Sequence, residues 1–195
     1  MQQSKKVRYI IVLFLLGVSV VALVGWNICV GTVRIPLADI FASIRGEKIE
    51  NSRILWDIRM PRTLAAMILG GALALAGYLL QTFFHNPIAG PFVLGISSGA
   101  KMVVALVMVF LIKITSWVLI AAAFVGAMIS MGFVLLMSRR VHNMSMLVVS
   151  GVMIGYICSA ITELVVTFAS DAEIVNLHNW SRGSFSGMTW ETVAV

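Results

Sequence analysis

Lys101 and Glu163 stand inside long apolar runs, and a charge at membrane depth is costly enough to mark each as a candidate for function. Each can also snorkel toward the nearer surface along its own stem. Ser159 precedes Glu163 by one helical turn, the one pairing of nucleophile and base that an intramembrane hydrolase could use, but no oriented histidine completes it. His85, His142 and His178 fall in separate connections without metal-ligand spacing, so no metal site is expected. Cys29 and Cys158 lie in apolar stretches and read as small packing residues, not as a disulfide or a thiolate centre. No G-x-x-x-x-G-K-[ST] loop is present, so any ATP must be hydrolysed by another chain. Arg59 and Arg62 flank Pro61, and their three-residue spacing allows both guanidinium groups to face one side, where they could hold the carboxylates of a partner or the phosphates of lipid.

The elements that must position these residues are membrane helices. Of the 195 residues 60% are hydrophobic and 11% charged, against a charged share of about 25% in soluble domains, and the mean hydropathy is +1.01. An all-α integral membrane protein is expected. The net charge of +6 speaks of lipid headgroups and topology, since no aromatic and basic face offers itself to nucleic acid. Five stretches suit a bilayer core of roughly 30 Å, which takes about 20 residues: residues 9–30, 64–84, 92–114, 117–137 and 144–169. The first follows Lys5, Lys6 and Arg8, yet it is too long for a signal peptide and no A-x-A-like site follows it, so it stays as an anchor.

Between the first two spans, residues 31–62 form a polar connector, in which Leu37, Ile40, Phe41 and Ile44 mark one face of a short amphipathic helix and residues 45–53 read as a solvated loop. Small residues recur every four positions at Ala66, Gly70 and Ala74, at Ala122, Gly126 and Ser130, and at Gly151, Gly155 and Ser159. Such stripes let helix backbones approach closely in lipid. Counting about 1.5 Å per residue from a common end places Lys101 about 14 Å deep and Glu163 about 28 Å, too far apart to pair.

The most informative stretch combines an R-x-P-R at Arg59–Arg62, a small-residue helix ending near Gln81, an N-P-I-A at residues 86–89 and an L-G-I-S-S-G-A at residues 94–100. Pro87 and Pro91 prevent the connection from continuing as helix. In order and spacing these pieces resemble the permease subunits of ABC importers that bring iron-siderophore, haem and cobalamin-type compounds into bacteria. The resemblance continues through Ser138, Arg139 and Arg140, through Ser150, Gly151 and Val152, through residues 157–160, and into Trp180, Gly183, Ser184 and Gly187.

It implies a multi-pass protein of the bacterial inner membrane. The family has about ten spans, so this sequence is expected to be the amino-terminal part of one incomplete permease domain. The implied partners are a second permease subunit, identical or not, a cytoplasmic ABC ATPase that carries the ATP and Mg, and an extracellular or periplasmic binding protein whose acidic residues would meet Arg59 and Arg62. Asn86 and Ile88, with Met144 and Ser145, would form a cytoplasmic gate, although Asn86 also reads as a cap before Pro87. Gly151, Gly155, Ser159 and Glu163 would line the translocation path, where Lys101 and Glu163 could tune a cavity for a charged chelate. The resemblance and the basic flank of the first span both put the amino terminus inside, although a bare count of Lys and Arg favours the reverse. A secondary transporter remains the alternative within transport, and an intramembrane enzyme the alternative outside it.

Overall fold

The computed structural model describes residues 2–47, 51–111, 115–141 and 143–194, and the described residues form helices and turns without a strand. Two compact units are present, Met1–Gly70 with Phe185–Val195, and Gly71–Ser184. Helix α3 contributes its beginning to the first and its remainder to the second.

In the first unit, α1 (Gln2–Cys29) is followed by an irregular turn and α2 (Leu37–Ile44). Pro36, extended at φ −62°, stands at the entrance to α2, where a missing N–H costs nothing. Of the anticipated apolar face only Ile40 is buried, against Ile28, Ile35 and Leu55, while Leu37, Phe41 and Ile44 stay exposed. Residues 48–50 lie outside the description. Helix then begins ten residues earlier than the second span was expected to, as a π-helical turn, Ile54–Arg59, that feeds α3 (Met60–Phe84). The wider turn has a cause. Pro61 offers no N–H to the carbonyl four residues back, and Met60 bonds instead to the carbonyl of Leu55, five back. The carboxyl-terminal segment joins this unit through Trp190 of α8 (Trp190–Ala194), whose Nε1 donates to the Trp56 carbonyl at 2.8 Å, and Trp56 in turn donates to Ser43.

In the second unit, α4 (Ile96–Phe110) packs between α5 (Ser116–Ser138) and α6 (Met144–Val166), with α7 (Asp171–Arg182) against it. The Ala122, Gly126, Ser130 stripe is buried as expected. Gly126 and Gly99 meet backbone to backbone, so that a methyl group on either would collide with the other's main chain. By contrast the stripe of α3 is exposed, and a methyl group on Gly70 would meet nothing within 4 Å.

The expected span at 92–114 is corrected. Only Ile96–Phe110 is helical, and residues 112–114 are outside the description. Pro91 and the positive φ of Gly95 (+73°) keep helix from starting sooner, and Leu94 is apolar because it is buried in protein, not because it spans lipid. The other four spans exist as helices long and apolar enough to cross a membrane. Helix α7 was not anticipated. It begins with a capping box in which Ser170 and Glu173 satisfy each other's backbone N–H, and it buries Leu177 beside Val104, Ala105 and Met108.

The close glycine contact is directly testable. Gly126→Ala should lower the stability of the detergent-solubilised protein by about 1–3 kcal/mol, whereas Gly132→Ala, whose methyl group meets nothing within 4 Å, should be neutral or stabilising by up to about 1 kcal/mol. Equal unfolding midpoints for the two variants would contradict the packing described.

Candidate functional site

The connection from α3 to α4 is a limb of turns. His85 leaves α3 with a left-handed φ of +48°. The Asn86 side-chain oxygen accepts from the N–H of Ile88 at 2.9 Å, and Gln81 donates to the Pro87 carbonyl at 3.2 Å. Asn86 thus serves the turn that Pro87 creates, satisfying backbone that lipid could not. Farther on, Ala89 and Leu94 are fully buried with Phe84, Val134, Leu147 and Val148, which seats the limb on the first turns of α6. Asn143 caps that helix by accepting from the N–H of Ser145 at 3.0 Å. The two segments chosen as gate elements are therefore joined through one apolar cluster, with Ile88 and Ser145 exposed; the Met144 side chain lies outside the described residues.

Gly95 then fixes how α4 meets α6. A Cβ there would come within 2.7 Å of the Gly151 carbonyl oxygen and 2.8 Å of the Gly155 nitrogen. Gly151 and Gly155, expected to line a path, are buried beneath Leu94 and Gly95 instead. Ser159 and Glu163 are exposed, and the Ser159 hydroxyl reaches that of Ser98 at 3.5 Å.

This register overturns the depth estimate for Lys101. Helix α4 starts beside Gly155, about 16 Å along α6 at ~1.5 Å per residue, and Lys101 is six residues beyond Gly95. Both charged residues consequently line one chamber of about 270 Å³, with Thr162, Ile174, Leu177 and His178. They do not reach ion-pair distance among the described residues. An ammonium, a carboxylate and an imidazole around one small space can orient a polar or charged solute. His178, read from sequence as part of a connection, lies instead on α7, whose S-x-x-E start at Ser170 and Glu173 was the available signal.

Arg59 and Arg62 part ways. Arg59 is buried at 8% exposure, and its two terminal nitrogens donate to the carbonyls of Ile28 and Val33. Its backbone carbonyl accepts from Thr63. The last turn of α1 contains no basic residue, so its open carbonyls and negative dipole end need a cation from elsewhere. Gly31 gives Arg59 room, since a Cβ there would lie 2.7 Å from Nη2. Arg62 instead donates to the Ser186 carbonyl at 2.5 Å, while its Nε is buried without a partner. The expected common outward projection does not occur, because α1 claims the first guanidinium.

Comparison with known proteins places these features in context. The FecCD transport family matches residues 11–195. The chain is 35% identical over 190 residues to the vitamin B12 import system permease protein BtuC of Shigella boydii serotype 18, and 36% identical over 191 residues to BtuC of Salmonella paratyphi A. Each alignment covers 97% of this chain and 56% of the relative, so the chain spans little more than half the length of these relatives. A solved structure of a transporter assigned to the metal-chelate ABC type, in an inward-facing conformation, superposes with a TM-score of 0.76 at 23% identity, covering 94% of this chain and 56% of that one.

Arg59→Met should destabilise the protein by roughly 3 kcal/mol, since it leaves two carbonyls without a donor, while Arg34→Met, at an exposed position, should stay within about 0.5 kcal/mol. Thermal unfolding in detergent measures both, and equal midpoints would show that Arg59 is not a structural clamp.

Proposed function

The chain belongs to the FecCD transport family, and from that premise we propose that it acts as a permease subunit of a binding-protein-dependent ABC importer in the bacterial inner membrane, its amino terminus in the cytoplasm. What carries the reading is the family match over residues 11–195, supported by two relatives named as vitamin B12 permeases. The substrate class is a metal chelate. A corrinoid is the first to test, with haem and iron-siderophores behind it. ATP and Mg act on a separate ATPase, a binding protein delivers the chelate, and a second permease subunit completes the path. In this mechanism the limb from Asn86 to Gly95 and the start of α6, at Met144 and Ser145, close the path on the cytoplasmic side. The gate opens by parting Ala89 and Leu94 from Leu147 and Val148. Ser159 and Glu163 face the solute above it, and Gly151 and Gly155 hold the helices that carry them.

Cells lacking this chain should lose uptake of labelled cobalamin, or of whichever chelate it carries. In cells that make it, uptake should stop when ATP is depleted and survive collapse of the proton gradient; the opposite pattern would indicate a secondary transporter. Glu163→Gln should change the uptake rate several-fold without abolishing it, and complete loss in a correctly inserted protein would favour catalysis by Glu163. The gate has its own test. Cysteines replacing Ile88 and Ser145 should be cross-linked by a short bifunctional reagent, with uptake blocked, whereas labelling that placed the two on opposite sides of the membrane would refute both gate and topology.

A further inference from the structure

The turn ahead of α3 leaves one main-chain acceptor without its helical donor. In a π-helical turn each carbonyl is met by the N–H five residues on, and for Trp56 that residue is Pro61, which has none. The residue four on is no substitute, because the Met60 N–H is already given to the Leu55 carbonyl. The helix cannot satisfy Trp56 from within. What meets it is the Trp190 indole, whose Nε1 donates to the Trp56 carbonyl at 2.8 Å from a position 134 residues farther along the chain. An indole N–H can only donate, which is what the open carbonyl requires.

Trp56 is held at its other end as well. Its own Nε1 donates to the Ser43 hydroxyl at 2.8 Å, and Ser43 lies in α2. Just beyond Pro61, Arg62 donates to the Ser186 carbonyl at 2.5 Å, so the Phe185–Val195 segment is tied to the start of α3 at Ser186 and at Trp190, all within the first unit.

We propose that Pro61 and Trp190 form a detachable latch: the proline withholds the donor that a regular helix would give the Trp56 carbonyl, and the indole supplies it, closing the Phe185–Val195 segment on the start of α3. A carbonyl already paired inside a helix gains little from a second donor, whereas one left open loses a whole hydrogen bond when the indole departs. The proline is what makes the indole matter. Because this bond lies outside any helical ladder, the segment can leave without unwinding α3, water taking the place of the indole. Trp56 joins α2 and α8 in series, so the one bond decides whether the connector between α1 and α3 moves with the Phe185–Val195 segment or apart from it.

The full chain, isotopically labelled on nitrogen and held in detergent micelles, gives each tryptophan one indole N–H resonance, and Trp190→Phe identifies the one concerned. Exchange of that proton with water should rise about fivefold in Pro61→Ala, the worth of one net hydrogen bond, while that of Trp117, in the second unit, stays within about twofold of its native rate. Pro61→Ser restores the same N–H with a different side chain and should match. Denaturant unfolding supplies the second measurement. Trp190→Phe should move the unfolding equilibrium about fivefold toward the unfolded state in the native sequence, and less than about twofold when combined with Pro61→Ala. Circular dichroism confirms that each variant is folded. A variant in which Trp117 also accelerates is loosened as a whole, and the denaturant cycle then decides. A Trp190 proton that keeps its native exchange rate in both Pro61 variants would overturn the latch, as would a Trp190→Phe cost that is the same with and without Pro61→Ala.

Discussion

Helix backbones in direct contact set the geometry of the second unit. Gly95 rests on Gly151 and Gly155, and Gly99 on Gly126, with no side chain between them. In lipid there is no hydrophobic gain from pressing one apolar helix against another, so association depends on close packing and on polar contacts made possible by it. The contacting main chains of these three helices provide that closeness and also fix the axial register. The Ser98 to Ser159 approach and the shared chamber of Lys101, Glu163 and His178 follow from that register.

In the first unit the comparable role belongs to a charge. Arg59 ties the carbonyl end of α1 to the turn that precedes α3, and Gly31 yields the space it needs. Carbonyl dipoles stand in for a counter-ion. This arrangement joins two elements distant in sequence without an acidic partner, and it explains why the R-x-P-R pattern begins with a side chain turned inward.

Much of the fold could be read from residue types alone. Composition and run length identified a helical membrane protein and four of its long helices, and the amphipathic pattern at residues 37–44 became α2. The remainder depended on tertiary context. Leu94 looks the same to a hydropathy count whether it spans lipid or lines a protein core, and Pro91 with the positive φ of Gly95 is what holds it out of the helix. The depth estimate for Lys101 failed because it assumed that α4 and α6 start in one plane. The fate of Arg59 was written in the cation-free last turn of α1, a feature of a different helix from the one under scrutiny. For the candidate site, the break in helix at Asn86 and Pro87 was legible from those residue types, whereas the burial of Gly151 and Gly155 was not, because a small-residue stripe specifies closeness without naming the neighbour.

The limb before α4 has a bearing on how the proposed gate would part. A helix of fifteen residues is about 22 Å long, short of the ~30 Å thickness of the hydrocarbon core. Before it runs turn backbone held by short-range bonds, among them Asn86 to Ile88, Gln81 to Pro87 and Ala89 to Asn86, against a small apolar seat. A gate proposed from such a limb would not have to unwind a helix to open. Each of its polar groups can trade its protein partner for water one at a time, so the limb is held by separable local exchanges and not by one cooperative ladder.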